Sequence, residues 1–345
     1  DAGRTLPDAV GDSSVATVMD RVLDKLASEP IEDLRVDFED GYGIRPESEE
    51  DEHVAAACEA IATCPVPFIG IRIKSFETNV RDRSLRTLES VVTALSSRLP
   101  SGFTITLPKV TFPQQVSAMA DACDFLEKAT GLDRGRLRFE VQVETAQAIL
   151  GPDGTASVAR LIDAGRGRVS AFHYGTYDYS AAVGVSAAYQ ALDHPAADHA
   201  KAVMQVAAAG TGVRLSDGST NVLPVGDRSA VHRAWALHFA LVRRSLQRAY
   251  YQGWDLHPHQ LPTRYAATMH FYRAGYAAAA DRLVAYLGRA ESGVADEPAT
   301  AIALARYLLR GVDAGAVDEA DLSGWNLTIA GLRLLVARRG QVQES

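Results

Sequence analysis

Cysteine is scarce in this chain of 345 residues: there are three, Cys58, Cys64 and Cys123. No two stand at a CxxC spacing, and an odd number gives no disulfide framework. Cys58 and Cys123 fall in apolar-patterned segments, where a free thiol packs as a small hydrophobe. That usage fits a reducing compartment, so a cytoplasmic protein is expected. Long apolar runs are missing too. None approaches the ~20 residues of a membrane span, and no signal-peptide pattern is present. Positive charge is in deficit, with 35 Lys and Arg against 43 Asp and Glu and a net charge of −8. That balance argues against non-specific nucleic-acid binding, which needs basic patches. It leaves room for a small anionic substrate held by a few local cations.

What is present is repetition. Apolar, strand-like runs begin near Leu34, Phe68, Phe103, Leu137, Val169 and Trp254, and the first four starts lie 34 to 35 residues apart. A strand, a returning helix and two loops take roughly that many residues, which predicts repeated β/α units. The segment VRLSDGSTNVLP supplies a further strand between the last two runs. Seven strands result, one short of a (β/α)8 TIM barrel, a fold of about 250 residues. Residues 14–28 have helical periodicity and nothing in residues 1–30 reads as a strand, so the first barrel strand is expected upstream of Asp1. From Pro262 onward the pattern is all helix: Tyr265 to Leu287, Glu297 to Arg310 and Leu322 to Arg339. The expected division is a catalytic barrel over residues 1–261 and a helical C-terminal extension over 262–345, acting as a lid or an oligomer contact.

The reactive groups of such a barrel converge at the C-terminal ends of its strands. There the runs end in Asp37, Glu39 and Asp40, in Arg72 and Lys74, in Lys109, in Glu144, in Asp178 and in His257. Glu144 and Asp178 follow adjacent runs, with no His or Cys cluster between them. Two carboxylates so placed suit a hard cation, since Mg2+ prefers oxygen ligands and keeps several waters. Arg72 sits inside the otherwise apolar IGIRIK, so it must face a polar cavity or a partner. Its fork can grip a carboxylate at two points, or serve a salt bridge inside the barrel mouth. Lys109, next to Pro108 at a strand end, has the same status. Alternation puts Asp37 and Glu39 on one face of their strand and Asp40 on the other. Three acids this close perturb one another's protonation and could orient water, position Arg72 or act as a base. The acidic run Glu47 to Glu52 complements a helix dipole and marks a helix start. His257 and His173 are lone histidines, open to a structural or a functional role.

Taken together, these segments resemble the HpcH/HpaI aldolase and citrate lyase β-subunit family, which includes malyl-CoA lyases. DFEDGYG is similar to that family's D-L-E-D strand, IRIKSF to its V-R-V-N and TLPKV to its L-P-K-V. VETAQAIL is similar to I-E-T-A-x-G-x-L, HYGTYDYSAAVG to F-G-x-x-D-L-x-x-x-L-G, and GWDLHPHQ to G-x-x-x-I-H-P-x-Q. The six motifs occur in order over residues 33–261. The resemblance implies a (β/α)8 barrel of the phosphoenolpyruvate/pyruvate type. It implies Mg2+, or Mn2+, held by Glu144 and Asp178, with Arg72 near the substrate oxygens. It implies reversible C–C cleavage of a small 2-oxo acid, pyruvate or glyoxylate in type, through an enolate. Asp37, Glu39, Lys109 and His257 are the further catalytic candidates; Asp40, Gly175 and Thr176 are the substrate-binding ones. Two other readings stand beside this one: a lyase of malyl-CoA, citramalyl-CoA or citryl thioesters, and a non-catalytic metabolite-binding barrel. In the acyl-CoA lyases a C-terminal D-G-x-M-I-D-x-P segment supplies an acid across a subunit boundary. Here GVADEP keeps only Asp296 and Pro298 of it. A homo-oligomer, trimer or hexamer, is implied, with no membrane or nucleic-acid partner.

Overall fold

Seven strands form one sheet, all parallel and in chain order: β1 (Asp33–Asp37), β2 (Phe68–Arg72), β3 (Phe103–Leu107), β4 (Phe139–Val143), β5 (Val169–Tyr174), β6 (Arg214–Asp217) and β7 (Gln252–Gly253). The structure is a computed structural model that describes residues 2–288 and 297–337. Each strand alternates. In β2 the apolar Ile69 and Ile71 are enclosed, while Gly70 and Arg72 take the other face. In β4, Phe139, Val141 and Val143 share one face, and Glu140, Gln142 and the following Glu144 share the other.

Side-chain contacts show that the sheet curls with its polar face inward. Neighbouring strands lie about 4.8 Å apart, so a flat sheet would hold β1 and β4 about 14 Å apart. Instead Arg35 on β1 bonds Glu140 on β4, with Nε to Oε1 at 2.8 Å. Trp254, just after β7, lies with its ring centre 5.5 Å from the Arg72 guanidinium on β2. This is the strand order and curvature of a (β/α) barrel. Among the described residues no eighth strand pairs with β1 or β7.

Helices follow the strands as the spacing requires: Glu47–Thr63, Arg81–Leu95, Pro113–Thr130, Ser157–Ala164 and Pro195–Ala208. The acidic run does open a helix, at Glu47, but one of its members is buried. Glu50 pairs with Lys74 Nζ at 3.0 Å and also accepts from Arg83 and Thr87. Lys74 also donates to Phe38 O at 2.6 Å, so this strand-end cation is committed to the β1–β2 connection. The last strand is shorter and earlier than GWDLHP suggested, since Trp254 follows β7.

The division of the chain also differs from the expected boundary at residue 261. One unit is Ile31–Asn221 with Tyr250–Leu256, the barrel; the other is Asp1–Pro30, Val222–Ala249 and His257–Ser345. The reason is a shared apolar core. Leu6, Val15 and Val22 from the N-terminal segment pack with Phe239 and Leu246 of the helix Arg228–Gln247. Tyr272, Leu283, Leu308 and Leu332, from the helices after residue 260, join the same cluster. Arg21 reinforces it by gripping Asp318 at 2.6 and 3.1 Å. The C-terminal helices are therefore no separate extension. The expected helix Leu322 to Arg339 is two shorter ones, Glu319–Ser323 and Ile329–Ala337, with Asn326 between them in the left-handed region. No described helix is long and apolar enough to cross a membrane.

The thiols follow the cores. Cys58 and Cys123 are buried, and burial raises both pKa values, that of Cys123 to about 12. Cys64, where the helix Glu47–Thr63 ends, is half-exposed. Native protein at pH 8 should therefore react with a thiol reagent at Cys64 alone and at all three cysteines once unfolded. Rapid native labelling of Cys123 would contradict this packing.

Candidate active site

The strand-end residues meet where their alternation aims them. At the end of β1, Asp37 is a hub. It takes both Arg72 Nε (2.7 Å) and Nη2 (2.5 Å), and it accepts the backbone N–H groups of Glu39 (2.9 Å) and Gly41 (2.8 Å). A Cβ at Gly41 would stand 2.5 Å from Asp37 Oδ2, so only glycine lets the loop close on this carboxylate. Burial pushes the Asp37 pKa up, but the Arg72 guanidinium outweighs it and holds the group below the usual carboxylate range. The fork of Arg72, which could have served a substrate carboxylate, is thus committed to Asp37. Its Nη1 keeps a 3.4 Å approach to Gln142 Oε1 and lies 3.8 Å from Glu39.

Lys109 is the second hub. Its side chain pairs with Glu39 and, at 2.6 Å, with Asp40. Its backbone has φ 51°, a left-handed conformation uncommon for a residue with a Cβ. That turn directs its N–H to Glu144 Oε1 at 2.7 Å. One residue therefore straps the loop after β1 and holds the carboxylate after β4. Burial works to lower the Lys109 pKa, but Asp40 and Glu39 outweigh it and raise the value. Burial raises the pKa of Glu39, against the pull of Lys109.

Glu144 is almost wholly buried, and its Oε2 takes the Gln142 amide at 2.6 Å. Its pKa is pushed up to about 8, first by burial and then by the charge of Asp178. Asp178 sits in the first turn of the helix Thr176–Ala182, exposed, rather than at a strand end. No hydrogen bond to its carboxylate occurs among the described residues. Gly175 leads into that helix, and a Cβ there would lie 2.4 Å from Glu144 Cβ and 2.6 Å from Oε2. Its role is to let β5 pack against Glu144. Thr176 is buried, with Oγ1 donating to Ser219 O at 3.2 Å.

Other candidates fall elsewhere. His257 belongs to the helical unit, where its Nδ1 accepts the His259 N–H at 3.1 Å and starts a short 3-10 turn. Asp296 lies outside the described residues. His173 faces the barrel interior, with Nε2 2.7 Å from Glu140 Oε2. Two surface concavities of about 500 Å3 and 370 Å3, lined in part by Arg228 and His232 and by Gly275 and Tyr307, lie wholly in the helical unit. Neither contains a strand-end residue. Sequence reasoning missed Arg35, Glu140, Gln142 and Trp254. The signal for two of them was visible, since FEVQVE places Glu140, Gln142 and Glu144 on one face.

Among the described residues no three His, Cys, Asp or Glu side chains converge on a metal position. The pair Glu144 and Asp178 nonetheless suits a hard cation. Both donors are oxygens, and the raised pKa of Glu144 marks a buried carboxylate short of positive charge. A Mg2+ site built on two protein carboxylates takes its remaining ligands from water or substrate.

The fold and the strand-end cluster define a (β/α) barrel whose mouth gathers carboxylates around Arg72 and Lys109. The chain belongs to the family described as a domain of unknown function (DUF6986), whose model matches residues 5–340. No curated protein sequence matches it. Among solved structures, Haloferax volcanii malate synthase in a magnesium/glyoxylate complex is 15% identical, with a TM-score of 0.55 over 88% of each chain. The same enzyme, native at 3 mM glyoxylate, is 18% identical with a TM-score of 0.54, covering 69% of this chain. That match spans 65% of the enzyme's own length. An HpcH/HpaI aldolase/citrate lyase family protein from Burkholderia cenocepacia is 18% identical over 68% of this chain and 82% of its own. Its TM-score of 0.44 is too low to carry an argument. The two malate synthase likenesses show the fold.

Replacing Gly175 by Ala should displace the Glu144 side chain while the protein stays folded. A shift on the order of 1 Å in a binding group can cost about 100-fold in function. Calorimetric titration with Mn2+ should therefore show much weaker binding, with a cooperative melt retained by circular dichroism. Unchanged affinity would mean that Glu144 is not part of the metal site.

Proposed function

We propose that the barrel is a divalent-metal-dependent carbon–carbon lyase or aldolase acting on a small 2-oxo acid of the pyruvate or glyoxylate type. The observation that carries this is the carboxylate pair of Glu144, just after β4, and Asp178, in the first turn of the helix after β5, with Arg72 held nearby by Asp37. The magnesium and glyoxylate held by the malate synthase of similar fold support the choice of metal and substrate class.

Glu144 and Asp178 would hold the cation, which when bound polarises the keto oxygen and offsets their mutual repulsion. The remaining roles fall to the chain's own groups. When cleavage releases a pyruvate-type fragment, the hydroxyl of the departing fragment loses its proton to water and becomes a carbonyl. The C–C electron pair passes to the α-carbon of the pyruvate fragment, and charge grows on its keto oxygen. Glyoxylate, which has no such carbon, can only be the carbonyl partner. Arg72 Nη1 is the donor left to meet that charge, its other two positions being fixed by Asp37. A donor held before the charge appears needs no reorganisation, which is the source of its effect. Gln142 spans Arg72 and Glu144 and sets the distance between donor and carboxylate. Lys109 keeps the β1 loop, with Glu39 and Asp40, against the mouth and out of the way of the pair.

Two measurements test this reading. Glu144→Gln and Asp178→Asn should each abolish Mg2+ or Mn2+ binding by calorimetry with the fold intact; wild-type affinity in both would remove the metal site. Arg72→Lys keeps the charge but cannot fill both Asp37 positions and still present a third donor. It should lower kcat by about 10²–10³, the usual cost of one such donor. A near-normal kcat would make Arg72 structural. Tight binding of free CoA in the same calorimeter would move the reading to an acyl-CoA lyase.

A further inference from the structure

Beneath the mouth lies a polar chain that the proposed chemistry does not use directly. Glu140, the second residue of β4, is buried, yet each of its oxygens has two donors. Oε1 takes Arg35 Nε (2.8 Å) and Thr106 Oγ1 (2.5 Å); Oε2 takes Arg35 Nη2 (3.1 Å) and lies 2.7 Å from His173 Nε2. Trp254 then donates its indole N–H to His173 Nδ1 at 2.5 Å. An indole nitrogen can only donate, so Nδ1 must accept. The His173 proton therefore sits on Nε2 and points to Glu140. Both partners define one tautomer and one ring orientation.

The consequence runs upward. Trp254 cannot rotate without leaving its own N–H and the nitrogen of the buried His173 imidazole unpaired, a loss that burial of the imidazole makes costly. Its ring is thus a fixed plane, and that plane lies 5.5 Å from the Arg72 guanidinium carbon. Asp37 holds Arg72 by its edge, and the guanidinium lies over the indole ring. The two restraints are independent and leave Nη1, which has only the long 3.4 Å contact to Gln142 Oε1 and lies 3.8 Å from Glu39, as the least committed position. We propose that Trp254 is a positioning residue of the active site. It is locked by His173 and Glu140, and it seats the Arg72 guanidinium for the anionic substrate. The assignment rests on the function proposed above.

The test separates seating from folding and from that function. Oxalate, a planar two-carbon dicarboxylate, serves as the probe for the 2-oxo acid, titrated into full-length protein with saturating Mg2+. Trp254→Phe and Trp254→Leu should weaken oxalate about tenfold or more, the size of one desolvated cation–π contact. Mg2+ affinity measured alone should stay within about threefold of wild type, well under one tenfold step. His173→Gln can still accept from the indole and donate to Glu140, so it should keep oxalate affinity; His173→Phe should lose it as the Trp254 variants do. Wild-type oxalate affinity in both Trp254 variants would overturn the proposal. So would parallel loss of oxalate and Mg2+, which is the signature of general disruption. Should the wild type bind neither Mg2+ nor oxalate, the lyase reading falls and the seat is judged by NMR. The Trp254 indole N–H resonance, assigned by its absence in Trp254→Phe, should then move in both His173→Phe and Arg72→Leu. A resonance unmoved by Arg72→Leu would overturn the seat on its own.

Discussion

The two-point grip of Asp37 on Arg72 organises the barrel mouth. It joins β1 to β2 at their ends and folds the β1 loop back onto Asp37 through two backbone N–H bonds. It also settles which part of the guanidinium remains for chemistry. A charged pair taken partly out of water is favoured only if its remaining hydrogen-bonding positions are met. Here the carboxylate has four donors, and the arginine has a carboxylate edge, an aromatic face and an amide neighbour. Remove the aspartate and the arginine is left facing Glu39 at 3.8 Å, which is already claimed by Lys109.

Charges in this barrel fall into two populations with different duties. Outside the interior, Lys74 with Glu50, Lys201 with Asp217 and Arg168 with Glu127 are buried pairs at close range. Each ties a strand or its end to a neighbouring helix, so none presents a free donor to the mouth. Inside, Arg35, Glu140, Arg72 and Glu144 form a column in which every member but Glu144 is ion-paired. That gradient is electrostatic. At the floor Glu140 is held as a carboxylate far below its ordinary pKa by the hydrogen bond from His173 and by the charge and hydrogen bonds of Arg35, which outweigh its burial. At the top Glu144 makes two hydrogen bonds but no ion pair, and burial with the charge of Asp178 outweighs Lys109 and pushes it up to about 8. The same residue type, two register steps apart on one face, is a structural anion in one case and a buried carboxyl of raised pKa in the other.

Much of this was legible in the sequence. The period of two fixed the strands, and the rule that barrels work at strand C-termini picked out Asp37, Arg72, Lys109 and Glu144. What alternation cannot give is the partner of each charge. It aimed Arg72 inward but could not tell a substrate carboxylate from Asp37. It could not show that Lys109 acts through its backbone as well as its ammonium, because a left-handed lysine leaves no trace in composition. Asp178 lay past the strand, on a helix whose start was set by Gly175 packing against Glu144. Trp254 looked like an apolar strand residue; its indole N–H mattered only once His173 was known to face it. The helical character of residues 14–28 and of most of the C-terminal segments is legible in their periodicity, but the break at Asn326 is not. An amphipathic stripe says that a face is covered, not what covers it, so the union of N- and C-terminal helices in one core was out of reach.

That union has a consequence for the order of folding. The barrel unit is nearly continuous, and most of its strand pairings join neighbours in sequence. The helical unit is assembled from three separated stretches, and its core includes Leu6 at one end and Leu332 at the other. On the ribosome the first helices must wait, with Val15, Val18 and Val22 uncovered, until almost the whole chain has been made. Such long-range closure is slow, because loop entropy is paid before any contact rewards it. The interval during synthesis is therefore when this protein most needs protection from aggregation, and its N-terminal apolar helices are where a chaperone would find it.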